Sequence, residues 1–243
     1  MGFETLDIFD IRGDLLDYFE KKYKDKVKKA SENVFDLSEA KQIELFRNYK
    51  YIVDALPAAY SFELFKIAVK AGSTLVSISF LEEDFLTLAQ DAEKMGALIV
   101  PDCGAAPGFS HLLAGYSVNK LGGAERVIMK VGAIPKTPQP PFFHNITWAV
   151  EDLIEEYVRP ATTRKHTKIT HFAPFDSFQS ENIFGLELES FITDGARSFL
   201  SSFPDVPEVE ERTLRHCGHL EFMKTFNDAG FFNTRPIKIG DSE

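Results

Sequence analysis

The sequence predicts an α/β protein: a parallel, doubly wound sheet domain followed by an α+β domain with a mixed or antiparallel sheet. Three observations carry this. Strand-like and helix-like segments alternate five times within about the first 100 residues, as in a parallel sheet with crossover helices. The strand-like runs are short, apolar and unalternating, as in sheets covered on both faces. Beyond residue 120 the runs become β-branched and alternating, with a proline-rich loop and a hairpin-like stretch between them.

The elements follow in order. Leu6-Asp7-Ile8-Phe9-Asp10 reads as a strand ending in an acid, and residues 14–30 follow with Leu15, Leu16, Tyr18, Phe19 and Tyr23 at helical spacing. Residues 33–37 read as a second short strand, after which Ser38 can cap a helix. Residues 51–56 read as a third strand, followed by Pro57 and a helix over 61–71 that Gly72 ends. Residues 74–79 form a fourth strand, 83–95 a helix and 97–100 a fifth strand. Pro107 suits the first turn of the next helix, where its missing N–H costs nothing.

In the second half, 124–134 is a strand, 135–141 a loop, 142–147 a strand and 148–157 an acid-rich helix. Residues 159–184 are hairpin-like, 186–192 a strand, 195–203 a helix and 210–215 a strand. A helix over 220–229 ends at Gly230, and 236–239 looks like a strand entering new structure. The domains expected are 1–105, 106–232 and a return segment over 233–243.

A chain of 243 residues, 44% hydrophobic and 26% charged, suits one large or two modest soluble domains. Its net charge of −10 disfavours nucleic acid, since a phosphate backbone selects basic faces. The basic run from Lys21 to Lys29 reads as a solvated helix face. Two cysteines make no disulfide framework, and neither a membrane-length apolar run nor a signal-peptide pattern occurs. The cytoplasm is the expected location.

Residues 101–115 are the most informative stretch. A buried-looking strand ends in Asp102, and Cys103, Gly104, Pro107 and Gly108 then lead into a helix. Strand ends of this kind are where α/β proteins build sites, although an ordinary strand–turn–helix connection reads the same way. Asp10 sits where a ribose-binding acid belongs, yet no Gly-x-Gly-x-x-Gly occurs in the sequence. By itself Asp10 reads better as an acid capping a turn.

The stretch Pro101-Asp102-Cys103-Gly104-Ala105-Ala106-Pro107-Gly108-Phe109-Ser110 resembles the domain-junction motif of the saccharopine dehydrogenase-like family, and within it lysine 6-dehydrogenases most. Val131-Gly132-Ala133-Ile134-Pro135, Ile146-Thr147-Trp148, Arg159-Pro160-Ala161, Phe191-Ile192-Thr193-Asp194-Gly195 and Thr213-Leu214-Arg215 with Gly218-His219 agree in order. The sequence departs from the family by lacking its first strand with the glycine loop and its last segment. A fragment of a longer gene, or a late start, is expected.

The resemblance implies an incomplete Rossmann-type domain joined to a substrate and dimerisation domain. It also implies hydride transfer from an amine-bearing carbon of an amino acid to NAD, with NADP possible. Oxidative deamination of lysine at its 6-position leads. Saccharopine or carboxynorspermidine oxidoreduction is one alternative, and a non-catalytic dimerisation remnant another. A small-molecule amino-acid substrate and a homodimer are expected, with no nucleic acid, membrane or metal.

Asp102 is the candidate acid, base or amine anchor, its alternative being a helix cap. His219 is a candidate proton shuttle, its alternative a satisfied core histidine. Arg215 suits a substrate carboxylate, or else a structural ion pair. Gly108 offers close backbone approach, its neighbouring amides free to face a carboxylate. His144 and Thr147 are the remaining substrate-side candidates, and since they lie on opposite faces of one strand at most one of them lines the cleft. Asp10, Asp36, Ala55, Leu56, Pro57 and Ser79 form the expected cofactor side. Cys103, His111, His216, Cys217 and His219 lack zinc-site spacing.

Overall fold

A computed structural model describes residues 5–30 and 33–234. The chain divides into two compact units. The first comprises the described residues up to Asp54, with Phe62–Val76 and Glu83–Val100; the second comprises Ala55–Ser61, Ser77–Glu82 and the described residues from Pro101 onward.

In the first unit, β1 (Leu6–Ile8) pairs in parallel with β2 (Val27–Lys29), and α1 (Gly13–Tyr23) connects them. The helix does not run on to residue 30. Lys24 takes φ +46, a 3-10 turn over Lys24–Lys26 follows, and the chain then extends. The basic run is therefore divided between a helix end, a turn and a strand in which Val27 is buried. Residues 33–37 are not a strand either. The Asn33 side chain accepts the N–H of Phe35 and winds Val34–Asp36 into a 3-10 turn, a local bond that outcompetes extension.

Next come α2 (Glu39–Arg47), β3 (Tyr51–Asp54), α3 (Ala58–Ala71), β4 (Thr74–Ser77), α4 (Ala89–Met95) and β5 (Leu98–Val100). Ser38 occupies the N-cap of α2 without a side-chain cap bond. β3, β4 and β5 form one sheet in that order, with β4 and β5 parallel. Instead of one continuous doubly wound sheet, the unit holds two short ones, and no ladder joins β1 to β3 among the described residues. Phe65 and Ala68 of α3 and Leu75 of β4 are completely buried.

The second unit is built on a six-stranded mixed sheet. Its members are β6 (Arg126–Val131), β7 (Ala161–Lys165), β8 (Lys168–Phe172), β9 (Gln179–Ile183), β10 (Leu186–Thr193) and β11 (Glu208–His216). β11 is central. It pairs antiparallel with β10, parallel with β6, and meets β7 at Val209 opposite Arg164. The hairpins β7–β8 and β9–β10 close through His166–Thr167 and Phe184–Gly185, with positive φ at both central positions. Such primed turns match the twist of the paired strands.

Helices α5 (Phe109–Leu121), α6 (Val150–Val158), α7 (Arg197–Ser202) and α8 (His219–Asp228) complete this unit. One core joins Val118, Met129, Phe199, Leu200 and Val209; another joins Leu153, Tyr157, Phe191 and Leu220. Every interior residue of β11 is buried. Residues 142–147 are irregular rather than a strand, because Phe143 turns the backbone to φ +56. Pro107 precedes α5 instead of entering it, with Gly108 at the N-cap. The strand expected over 236–239 lies outside the described residues.

Candidate functional site

The loop between β5 and α5 is tied down by its own backbone. Cys103 N–H donates to Ser77 O at 2.8 Å, Phe109 N–H to Gly104 O at 2.9 Å and Ser110 N–H to Ala105 O at 3.1 Å. The loop folds back tightly at Gly108, whose φ is +138 and where a Cβ would fall 2.1 Å from Gly104 O. Only glycine fits there. The Phe109 amide, expected to face a ligand carboxylate, is thereby occupied.

This loop sets Asp102 at φ +52 with 6% of its surface exposed, and neither carboxylate oxygen has a hydrogen-bond partner. Asp102 is thus not the helix cap. A buried carboxylate without partners is costly, and such a group marks a place where something else completes the bonding.

Two groups surround it electrostatically. His111 lies beside Phe199; its Nε2–H donates to Gly195 O at 2.7 Å and its Nδ1 accepts from Ser198 Oγ at 3.2 Å. Those partners fix a neutral ring. Burial lowers its pKa, against the Gly195 carbonyl and the negative charge of Asp102. Glu211, on β11, is 3% exposed. Burial pushes its carboxyl up to about 8, and the charges of Glu156, Asp102 and Asp194 push the same way while Ser110 opposes. Ser110 Oγ stands 3.5 Å from Glu211 Oε2. Across from it, a Cβ on Gly195 would overlap Glu211 Oε1 at 1.5 Å, so glycine is required by the carboxyl itself.

A second buried network adjoins through Glu156. The Arg215 guanidinium, 2% exposed, donates from Nη2 to Glu156, from Nη1 to Leu214 O at 3.0 Å and from Nε to Tyr157 Oη at 3.0 Å. Tyr157 Oη–H in turn donates to His219 Nε2 at 2.8 Å, and His219 Nδ1–H donates to Phe142 O at 2.6 Å. Burial holds the His219 pKa down to about 4 and the Tyr157 hydroxyl up to about 12. From β10, Glu189 accepts the N–H of Gly218 at 3.0 Å and of Leu220 at 2.5 Å, anchoring the start of α8 where His219 sits.

These bonds match the alternative given for each residue: both nitrogens of His219 are engaged by the protein, and Arg215 is held in a buried ion pair with Glu156. His144 packs against His219 with the rings tilted by 52° and their centroids 5.1 Å apart. Its pKa falls to about 4 through burial, then through Arg215, His219 and His216, and neither ring nitrogen has a partner. Among the described residues, Asp102 and His144 alone hold buried side-chain polar atoms without hydrogen bonds.

Thr147 is exposed and the strand that would have paired it with His144 does not form. On the expected cofactor side, Asp10 is exposed and accepts the N–H of Arg12 at 2.7 Å, and Asp36 is exposed in its 3-10 turn. Ala55 and Pro57 are exposed. Leu56 and Ser79 are brought together, since Ser79 Oγ donates to Leu56 O at 2.6 Å and accepts from Ser61 Oγ at 2.8 Å. His216 Nε2 donates to Pro135 O at 2.8 Å. No three His, Cys, Asp or Glu side chains are grouped to hold a metal among the described residues. No helix among them is long and apolar enough to cross a membrane.

The sequence reading missed Glu156, Tyr157, Glu189 and Glu211. The signal for Glu211 was weak: it stands in a charged run, Glu208-Val209-Glu210-Glu211-Arg212, that overlaps the strand expected over 210–215.

Residues 104–242, more than half of the chain, match the family model described as the saccharopine dehydrogenase C-terminal domain. A 203-residue stretch is 22% identical to alpha-aminoadipic semialdehyde synthase of Arabidopsis thaliana, covering 77% of this chain and 19% of that protein. Another of 194 residues is 19% identical to saccharopine dehydrogenase [NADP(+), L-glutamate-forming] of Pyricularia oryzae, covering 75% and 43% respectively. The fold matches that of apo saccharopine dehydrogenase (L-Glu forming) from Saccharomyces cerevisiae with a TM-score of 0.71 at 18% identity, over 94% of this chain and 53% of that one. The chain thus spans from about a fifth to about half of the length of these relatives.

Proposed function

Because the chain belongs to the saccharopine dehydrogenase family, we propose that it supplies the substrate side of an NAD(P)-dependent oxidoreductase acting on a CH–NH group of an amino acid. A secondary amine of the saccharopine type suits this reading better than the 6-amine of lysine. Relatives that it resembles are named as a saccharopine dehydrogenase and an aminoadipic semialdehyde synthase.

The observation that carries the reading is the buried, unpartnered carboxylate of Asp102. A protonated amine supplies both the charge and the N–H donors that this group lacks. The residues present fit the cofactor only in part. Asp10 is an exposed strand-end carboxylate of the kind that takes ribose hydroxyls, but the sequence contains no glycine-rich phosphate loop. When bound, a nicotinamide accepts the hydride from the carbon bearing the nitrogen. The chain's own residues orient the substrate. Asp102 takes the ammonium, and the Glu156–Arg215–Tyr157–His219 network makes a rigid wall. His144 offers a neutral ring nitrogen to a second polar group of the substrate.

The test is NAD(P)H formation by the natural full-length protein. Saccharopine as sole amine supports formation and lysine alone does not, and Asp102→Asn lowers kcat/KM by roughly 10²–10³-fold. NADH and ammonia from lysine alone would instead favour oxidative deamination.

A further inference from the structure

We propose that a cavity at the start of β11 binds a small acidic α-amino acid, with its ammonium on Glu208 and Glu210 and its carboxylates on Arg126, Lys165 and His166.

The cavity holds about 190 Å³ and opens where β6, β7 and β11 come together. β7 meets β11 at Arg164 opposite Val209, and the chain then turns away at His166–Thr167. Val127 and Val209 give the cavity its apolar lining. Its frame is fixed by bonds that spare the charged groups around it. Thr167 N–H donates to Pro207 O at 2.9 Å. The Arg164 guanidinium donates to Leu200 O at 2.6 Å, Phe203 O at 2.7 Å and Val206 O at 3.0 Å. Successive residues of β11 alternate in direction, so Glu208 and Glu210 point away from Glu211 and from the groups around it.

The charges lining this cavity do not close on one another. Arg126 Nε lies 3.4 Å from Glu208 and its Nη2 lies 3.6 Å from Glu210. Lys165 Nζ lies 3.8 Å from Glu210, and His166 Nδ1 lies 3.3 Å from Glu208. All four separations exceed the about 2.7–3.2 Å of an N–H···O bond. Ion pairs elsewhere in the chain do close: Lys130–Glu181 at 2.7 Å, Lys224–Asp228 at 2.6 Å and Lys94–Asp91 at 3.0 Å. Three bases and two carboxylates thus stand around one cavity, each a little too far from the next to bond it. One small ligand seated among them converts these long contacts into charge-assisted hydrogen bonds.

The signs present select that ligand. A simple anion would face Glu208 and Glu210, and a simple cation would face the bases. A zwitterionic head group meets both. Counting His166 as neutral, Arg126, Arg164 and Lys165 against Glu208 and Glu210 leave one positive charge. A second carboxylate on the ligand balances it. The volume lies below the about 300–1,000 Å³ of pockets for drug-sized ligands, so the amino acid is a small one.

Methyl NMR of the natural full-length protein, with Val127 and Val209 as reporters, tests this by titration with L-aspartate, succinate and inorganic phosphate. L-Aspartate should shift both sets of methyls saturably. Succinate, which lacks only the ammonium, and phosphate should each bind about 10-fold or more weakly. Glu210→Gln should weaken L-aspartate by about 10-fold and leave succinate no weaker, which abolishes the preference. Lys165→Gln, at a position more exposed than Glu210, should weaken L-aspartate and succinate alike. Any of four results overturns the proposal: no shift at Val127 and Val209, succinate or phosphate binding as tightly as L-aspartate, an unchanged preference in Glu210→Gln, or undiminished L-aspartate binding in Lys165→Gln.

Discussion

Replacing Gly195 by alanine tests the packing around Glu211 directly. The added methyl would lie 1.5 Å from Oε1, 2.2 Å from Cδ and 2.8 Å from Oε2 of a carboxyl that is 3% exposed. No φ strain is involved, since Gly195 is not among the glycines with positive φ. The whole penalty is therefore overlap, about 1–3 kcal/mol for overpacking a buried site. For a chain of this size, that is a fall of roughly 2–12 °C in Tm. The assay is differential scanning calorimetry of four proteins: wild type, Gly195→Ala, Glu211→Ala and the double variant. In the Glu211→Ala background the new methyl enters vacated space, and its penalty should drop below about 0.5 kcal/mol. An equal penalty in both backgrounds would refute the steric link.

Stability should depend on pH with a defined shape. Between pH 4.5 and 6.5, His144 and His219, held down to about 4 in the fold, bind fewer protons folded than unfolded, so they make stability rise with pH. Between about 4.5 and 8, Glu211 binds more protons folded than unfolded and makes stability fall as pH rises. The histidines oppose it below 6.5, while buried Glu156, raised by its own burial, acts in the same direction as Glu211. Urea unfolding should thus show a loss of about 1–2 kcal/mol from pH 6.5 to 8 through Glu211, reduced in Glu211→Gln. Arg215→Leu should cost about 3–5 kcal/mol by stranding Glu156, and much of that should return in Arg215→Leu with Glu156→Leu, read from the urea midpoint. Tyr157→Phe should cost about 1–3 kcal/mol by breaking the bonds to Arg215 and His219. The NMR titration of His219 should move toward the ordinary range in that variant.

The sequence reading worked where Pro57 and Gly72 punctuate the chain: α3 runs Ala58–Ala71 against an expected 61–71, and β4 runs Thr74–Ser77 against 74–79. It failed where a short local bond or a left-handed residue decided the backbone. The Asn33 side chain turned an apolar triplet into a 3-10 turn. Phe143 at φ +56 dissolved an apparent strand, and Lys24 at φ +46 ended a helix to release a strand from inside a lysine run. None of these turns carries a glycine to announce it. In the site, Asp102 was legible as a candidate because a strand-end acid before a glycine turn stands out. Glu156 and Glu211 were not, because acidic residues in charged runs read as solvent-facing. Burial on both sides of β11 is a property of its neighbours, which no local pattern of alternation contains.

Helix α8 begins at Gly218 without a side chain of its own to hold its first amides. The acceptor for two of them is Glu189, on a different strand and about thirty residues earlier. The start of this helix is thus contingent on β10 having already aligned with β11. A peptide of residues 217–230 alone should show little helix in water, being short and uncapped. In the chain it should gain exchange protection only together with the β10–β11 ladder. The carboxylate that fixes His219 in place also sets the order in which this corner of the protein assembles.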